Sequence, residues 1–382
     1  MHTATHKANG FTFLRIVAAL LVIITHSYVV LGLPGDPLDR LHLPPFSKWG
    51  VDTFFVISGF LVTASLMRNG DPVRYIRNRA LRILPGLFVM VALTVFVVGP
   101  LFSSSPGYWS REAFQYFWNV LIFKLTPFLP GVFADNPVAV VNGSLWTLPI
   151  EVLCYAGLLV IGWAGALKPR IIAVLIAVTT LLHIGSAFRP GDYFLTVEKL
   201  RLNEFAALFL GGAFLASLGN RLPITWKRMG LCAAGVVAGL LLSMRVWHLP
   251  VVGAVQWQVA SLAHLLLFPY VVISTALLLR RLDWLNKHDI SYGLYIYAWV
   301  VQQIVVATLG RDVGPWVLTA LSILMTGILA VLSWRYVEGP ALRLKDAAPW
   351  RRGPAGRQGA ATEPYPAAGN EKSPLPASVR QG

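Results

Sequence analysis

The sequence has few charged residues and few cysteines. Only 13% of its 382 residues are charged, whereas a soluble globular chain has about a quarter. This deficit argues against an ordinary soluble domain. The two cysteines, Cys154 and Cys232, both fall in apolar segments. We therefore interpret them as small buried hydrophobic residues and expect neither a disulfide nor a metal site.

Apolar residues are abundant instead, at 56% of the chain with a mean hydropathy of +0.63. Apolar runs of about 18 residues or more recur, and a helix of that length crosses the hydrocarbon core of a bilayer. The sequence therefore predicts an all-α integral membrane protein, a bundle of about ten transmembrane helices. The predicted spans are residues 11–33, 49–67, 83–101, 143–163, 171–188, 200–218, 230–246, 255–279, 290–309 and 315–334.

The net charge of +15 comes from basic residues that lie in short clusters between the apolar runs. That distribution is typical of a membrane protein and argues against a nucleic-acid partner. The clusters follow every second predicted span, so the positive-inside rule places them and both termini in the cytoplasm. We interpret residues 1–346 as one transmembrane domain and residues 347–382, which are rich in Pro, Gly, Ala and Arg, as a disordered cytoplasmic tail. The aromatic segment around Trp109 and Trp118 predicts a short helix at the membrane interface.

Two ionisable residues share one face of the first span. Arg15 and His26 are eleven residues apart, which on a helix is about three full turns and about 16 Å along the axis. Ionisable groups inside a membrane are costly and mark functional sites. An imidazole suits general-base work on a hydroxyl. His26 is therefore a candidate catalytic residue, although a histidine satisfied by a neighbouring helix fits the sequence equally well.

Two acidic residues lie inside or beside predicted spans. Glu151 is predicted at a depth similar to that of His26, so the two could pair and orient the imidazole. The alternative for Glu151 is a structural polar contact between helices. Asp52 lies near the start of the second span, where it is either a further catalytic candidate or a helix cap.

Basic and polar residues elsewhere also have two interpretations. Arg79 and Arg82 share a helical face and suit phosphate recognition, but ordinary positive-inside charge explains them too. Arg201 and Glu204 are spaced for an ion pair within one helix. The ninth span has a polar stripe that fits hydrogen bonds between helices or a substrate path. The stripe consists of Ser291, Tyr292, Tyr295, Tyr297, Gln302 and Gln303.

Seven segments follow one another in the order of a known set of motifs. They are residues 13–19 with His26, 50–61, 79–85, 144–155, 201–211, 291–295 and 336–340. In this order they resemble the acyltransferase-3 family of membrane O-acyltransferases, over essentially everything except the tail. In place of the histidine and proline that many members have after the Ser291-Tyr292 motif, this chain has Ala298 and Val300.

The resemblance implies an enzyme that takes an acyl group, commonly acetyl, from cytosolic acyl-CoA, with no metal. The implied acceptor is a hydroxyl of an exopolysaccharide, lipopolysaccharide or lipid-linked sugar at the bacterial inner membrane. His26 is the implied catalytic residue, Arg15 is its motif partner, and Arg79 and Arg82 are implied to contact the CoA phosphates. Either the bundle completes the transfer itself or a partner, such as another polysaccharide-biosynthesis protein, does so. Two alternatives to this function are acyl transfer to a small molecule such as a macrolide, and a transporter that performs no acyl transfer.

Overall fold

Long apolar helices dominate the computed structural model, which describes residues 9–186, 191–246 and 253–345. Each of the ten predicted spans corresponds to a long helix. In this part of the chain we name them α1 Phe11–Val30, α2 Phe46–Asn69, α3 Pro72–Phe102, α4 Leu148–Trp163, α5 Pro169–Ser186, α6 Lys199–Leu218, α7 Trp226–Val246, α8 Gly253–Leu278, α9 Ser291–Leu309 and α10 Pro315–Arg343. The predicted tail, residues 347–382, lies outside the described residues.

Among the described residues, eight of the ten helices are long and apolar enough to cross a membrane. These eight do not include α6 and α7, which both carry charged residues near their starts. Lys199, Arg201 and Glu204 lie in the first turns of α6, and Lys227 and Arg228 lie in the first turn of α7. The chain is thus a multi-pass, all-α membrane protein. That α6 and α7 also cross the membrane stays a prediction.

The helix that begins at Pro72 starts eleven residues before the predicted span of 83–101. Asp71 caps it, since its carboxylate accepts from the amides of Val73 and Arg74 at 3.0 and 3.3 Å. Proline in the first turn completes this start signal. Hydropathy misses the first turns because they carry arginines. The earlier start places Arg79 and Arg82 within the helix, about two and three turns after its first residue.

Two helices contain a π-helical turn, Thr94–Val98 in α3 and Trp334–Glu338 in α10. In α10 this turn precedes Gly339 and brings Glu338 into the bundle, where the side chain is 2% exposed. Such turns are frequent at functional sites.

In the core of the bundle, α2 packs against both α1 and α6, and α9 packs against both α1 and α10. The connection between α3 and α4 contains a short helix, Arg111–Gln115, followed by a 3-10 turn, Tyr116–Leu121. Some of its large aromatic side chains are exposed, with Trp109 at 56% and Phe114 at 49%, whereas Tyr108 and Tyr116 are buried. The predicted short aromatic helix is therefore present. A two-residue hairpin, β1 Tyr193–Phe194 and β2 Val197–Glu198, precedes α6.

Candidate active site

A cavity of about 330 Å³ opens between α1, α2, α3, α4, α9 and the end of α10. Four of the six predicted site residues line it, namely Arg15, Arg79, Arg82 and Glu151. The segment before α9 also contributes to the wall through Asp289. The cavity therefore combines groups from helices that are far apart in the sequence.

Two of the arginines share one carboxylate at the cavity wall. Arg15 Nη1 and Arg82 Nη2 both donate to Oδ2 of Asp289, at 2.6 and 2.8 Å. The second oxygen of Asp289, Oδ1, accepts from the Ser291 hydroxyl at 2.5 Å and from its amide at 3.3 Å. Such hydrogen bonds between charged groups are about twice as strong as neutral ones. The three side chains thus join α1, α3 and the start of α9.

The pKa of Asp289, which lies outside the helices, reflects this surrounding. Burial acts to raise it, but the charges of Arg15 and Arg82 and the hydrogen bonds from Ser291 outweigh burial and lower the pKa to about 2. The carboxylate is consequently ionised at any physiological pH.

Arg79 differs from the other two arginines. In the part of the chain that the structure describes, its guanidinium has no carboxylate partner and lies 5.6 Å from the ring centroid of Tyr155. Arg82 has a second carboxylate nearby, because its Nη1 is 3.9 Å from Glu338 Oε2. Arg79 is therefore the arginine of this wall whose guanidinium makes no ion pair among the described residues.

Glu151 faces the cavity and not His26. Its Oε1 accepts from the Ser58 hydroxyl at 3.2 Å and from the Tyr155 hydroxyl. No hydrogen bond joins it to His26, so the predicted pairing of these two residues is wrong as a contact. The physical reason is that Glu151, on α4, faces α2, whereas His26, on α1, faces α9.

His26 is buried without a hydrogen bond. Its Nδ1 is enclosed and has no partner among the described residues. The ring instead packs against the edge of Trp299, with 4.8 Å between centroids and planes at 76°. The alternative interpretation, in which His26 forms a structural hydrogen bond to a neighbouring helix, is therefore wrong for Nδ1 among the described residues.

Residues of α9, of α1 and of the segment before α4 show where His26 lies relative to the cavity. On α9, Tyr295 lines the cavity, while Trp299, one turn further, contacts His26. Before α4, Thr147 lines the cavity, while Gly143 packs against Trp299. On α1, Arg15 lines the cavity, and His26 follows about 16 Å further along the axis. His26 thus lies beyond the inner end of the cavity.

Tyr295 lies at that inner end. Its hydroxyl donates to the carbonyl oxygen of Ser144 at 2.9 Å and shares a hydrogen bond of 2.7 Å with the Thr147 hydroxyl. Further along α9, Gln302 donates to the Ile23 carbonyl at 2.8 Å. The polar stripe of α9 therefore makes hydrogen bonds between helices and also supplies two cavity residues, Tyr292 and Tyr295.

Asp52 belongs to a separate ionic cluster between α2, α6 and α8. Its Oδ2 accepts from Lys48 Nζ at 2.5 Å and contacts His264 Nε2 at 2.7 Å. Lys48 also pairs with Glu204 at 2.8 Å, and Glu204 pairs with Arg201 at 3.5 Å. The predicted ion pair of Arg201 and Glu204 is confirmed. The capping role considered for Asp52 is wrong, because α2 begins at Phe46, six residues earlier.

The family can now be stated from comparison. The model of the Acyltransferase domain family matches residues 9–335. The chain belongs to this acyltransferase family. No solved structure gave a significant match to it.

Several curated proteins resemble this acyltransferase over most of its length. Nodulation protein 10 of Rhizobium leguminosarum is 30% identical, over 92% of this chain and 97% of its own. The O-acetyl transferase of Shigella phage Sf6 is 30% identical, over 87% and 96%. The exopolysaccharide production protein ExoZ of Rhizobium meliloti is 28% identical, over 82% and 94%.

Sequence reasoning missed two side chains of the acyltransferase that the geometry brings forward. Asp289 lies two residues before the Ser291-Tyr292 motif, and an acidic residue beside a predicted span was the available signal. His264 lies inside an apolar run, the same signal that singled out His26. Nothing in the sequence indicated their partners, since these come from other helices.

Metal ligation needs several donor side chains around one point. Across residues 9–186, 191–246 and 253–345, no group of three or more His, Cys, Asp or Glu side chains is placed to hold an ion.

Proposed function

We propose that this acyltransferase moves an acyl group, in the first instance acetyl, from acyl-CoA to a sugar hydroxyl of a surface polysaccharide or exopolysaccharide, or of its lipid-linked precursor. The proposed location is the bacterial inner membrane. The observation that carries the proposal is the buried imidazole of His26, whose Nδ1 has no partner among the described residues. It lies on the helix that brings Arg15 to a cavity lined by three guanidiniums.

The cavity suits a phosphate-bearing donor. Guanidiniums bind phosphate oxygens through paired N–H groups, and Arg79 has no competing carboxylate among the described residues. Under the predicted orientation, the arginines lie towards the cytoplasm, where acyl-CoA is found. Apolar residues such as Phe54, Phe55 and Leu61 line the rest of the cavity and suit an uncharged pantetheine arm.

His26 is the proposed catalytic residue. As a general base, it takes the proton of the acceptor hydroxyl while the oxygen attacks the thioester carbon. The C–S bond then breaks, and the proton passes to the leaving CoA thiolate.

Acyl transfer through His26 itself is the second route. The ring nitrogen attacks the thioester carbon, the C–S bond breaks, and the leaving CoA thiolate takes the proton of the other ring nitrogen. The acceptor hydroxyl then attacks the acyl carbon, the bond from that carbon to the ring nitrogen breaks, and the hydroxyl proton returns to the imidazole.

We propose that Glu151 and Asp52 also contribute to catalysis. Glu151 does so from the wall of the donor cavity, and Asp52 does so indirectly, through its ionic cluster with Lys48 and His264.

The acceptor class rests on the names of the relatives. One is an O-acetyl transferase and another an exopolysaccharide production protein. A sugar hydroxyl is therefore the first acceptor to test. A separate polysaccharide-biosynthesis protein that completes the transfer is the proposed alternative to a complete reaction within the bundle.

The test measures CoA release from acetyl-CoA by the purified protein, with and without a glycan extract of the source cell. We expect His26→Gln to lower glycan-dependent release at least a hundredfold, in keeping with the ~10²–10⁴-fold contribution of a general base. His183→Gln is the matched control, since His183 is also buried but lies on α5, away from the cavity.

Mass spectrometry of surface glycans from wild-type and deletion strains identifies the acceptor. Full activity in His26→Gln, or movement of a substrate without any dependence on acyl-CoA, would overturn the proposal. The second result would favour a transporter.

A further inference from the structure

The carboxylate of Asp289 lies at the junction of the two arginine-bearing helices. Arg15 on α1 and Arg82 on α3 donate to the same oxygen atom, Oδ2, at 2.6 and 2.8 Å. All three side chains are shielded from solvent, with exposed fractions of 20%, 12% and 14% for Arg15, Arg82 and Asp289. A single oxygen therefore determines how the two guanidiniums are placed relative to each other.

Asp289 is itself held by the backbone at the start of α9. Its other oxygen accepts from the hydroxyl and the amide of Ser291. The carboxylate cannot rotate without breaking these two hydrogen bonds and both contacts to the arginines. Asp289 thus transmits the position of α9 to Arg15 and Arg82.

Arginine side chains have several rotatable bonds, and two guanidiniums close together repel each other. Without a carboxylate between them, Arg15 and Arg82 would move apart. Arg79 has no such anchor, because its guanidinium contacts the Tyr155 ring and pairs with no carboxylate in the described part of the chain. The cavity thus has two arginines fixed by the protein and a third open to an anionic ligand.

We propose that Asp289 is a positioning residue of the donor site, fixing Arg15 and Arg82 so that their remaining N–H groups and Arg79 together receive a phosphate group of the donor. This inference rests on the proposed function. Asp289 acts through the arginines and is remote from His26, so its effect falls on donor binding and not on the chemical step.

The test compares two donors that share the acetyl thioester but differ in phosphate. Acetyl-CoA carries phosphates, and S-acetylpantetheine carries none. For Asp289→Asn we expect the KM for acetyl-CoA to rise about tenfold, equivalent to about 1.4 kcal/mol, with little change in kcat. The KM for S-acetylpantetheine should stay at the wild-type value. A purely structural defect would affect both donors alike.

Three further variants sharpen the comparison. Asp289→Glu keeps the charge and should restore part of the acetyl-CoA affinity. Ser291→Ala removes one anchor of the carboxylate while leaving every charge in place, and should give a smaller rise in KM. Asp283→Asn is the control, since this exposed acidic residue of the same connection is not part of the cavity wall.

Calorimetric binding of CoA and of pantetheine makes the test independent of turnover. Weaker binding of CoA alone in Asp289→Asn, or in Ser291→Ala if the former does not fold, supports the inference. Equal loss for both ligands, unchanged CoA binding, or tighter CoA binding overturns it and leaves the proposed function intact. If the wild-type protein binds no CoA and uses no acetyl-CoA, the proposed function fails as well.

Discussion

Asp289 connects the charge of single residues with the stability of the protein. Its pKa in the folded protein is about 2, below the ordinary value of about 4 for an unfolded chain. A carboxylate with a lowered pKa stabilises the folded state above the unfolded pKa, and this contribution is lost as the pH falls towards the folded pKa. The size of the shift corresponds to about 2 kcal/mol.

We therefore predict that Asp289→Asn lowers the melting temperature of the detergent-solubilised protein by a constant amount between pH 5 and 9. The difference from wild type should shrink between about pH 4 and pH 2, because the carboxylate becomes protonated there in the unfolded chain while it stays ionised in the folded protein. Thermal unfolding across this pH range measures it. A difference that changes between pH 6 and 8 would show that another titrating group controls the cluster.

Trp299 packs edge-on against His26, which has no hydrogen bond of its own among the described residues. The indole is held by its Nε1 donating to the Val140 carbonyl at 2.8 Å. Gly143 leaves room for it, since a Cβ there would lie 2.6 Å from the ring.

We expect Trp299→Ala to lower kcat at least tenfold with little change in the KM for acyl-CoA, because the imidazole loses its packing partner. Trp299→Phe retains an aromatic edge and should keep most of the activity. Steady-state kinetics on both variants, with circular dichroism to check folding, test this. A rise in KM with unchanged kcat would contradict a positioning role for Trp299.

Sequence reasoning at the residue scale succeeded where geometry depends on one helix alone. The shared face of Arg15 and His26, the pairing of Arg201 with Glu204, and the shared face of Arg79 and Arg82 follow from helical periodicity. The contact between Glu151 and His26 depended on which helices are neighbours. Depth in the membrane gives no information about that choice.

At the scale of helices, the crossing of α2 and α6 depends on glycine. A Cβ on Gly59 would overlap the carbonyl oxygen of Phe209, and one on Gly212 would overlap that of Val56. Small residues allow such close approach of helices in membranes. The two glycines thus hold α6, with Glu204, near Lys48 on α2.

Gly212→Ala should therefore destabilise the protein by about 2–3 kcal/mol, in the range found for overpacked cores. Gly157→Ala is the matched control, since a Cβ there meets nothing within 4 Å. Alanine also favours a helix over glycine. Thermal unfolding and the monodisperse fraction in size-exclusion chromatography compare the two variants. Equal behaviour would mean that the crossing can relax at little cost.

The positions of the ten long helices were predictable from hydropathy, but several of their ends were not. The start of α3 at Pro72 depends on a cap and on arginines that an apolar window rejects. The start of α2 at Phe46 was missed for a similar reason, since Ser47 and Lys48 lower the local hydropathy. Helix ends follow local hydrogen bonding, whereas predicted spans follow apolarity.

For the whole molecule, the open question is whether α6 and α7 cross the membrane. If neither helix crosses, only the connection 219–225 moves from the cytoplasmic to the outer side of the membrane. Every other connection stays on its predicted side. The decisive position is therefore in that connection.

We predict that a cysteine at Thr225, in a variant with Cys154→Ala and Cys232→Ala, is labelled only from the cytoplasmic side. Gly107→Cys and Val73→Cys serve as exposed references for the outer and cytoplasmic sides. An impermeant maleimide applied to intact cells and to inverted vesicles provides the measurement. Labelling of Thr225→Cys in intact cells would reduce the number of crossings to eight.

The shared carboxylate also has a consequence for biosynthesis. Arg15 and Asp289 are separated by 274 positions in the chain, so the ribosome has made most of the protein before the two can meet. Until α9 is inserted, the early arginines are in the membrane without this counterion, and unpaired charges there are costly. We therefore expect the ordering of α1 against α3 to be a late event in assembly, because a nascent chain stopped before residue 289 lacks the carboxylate that joins Arg15 to Arg82.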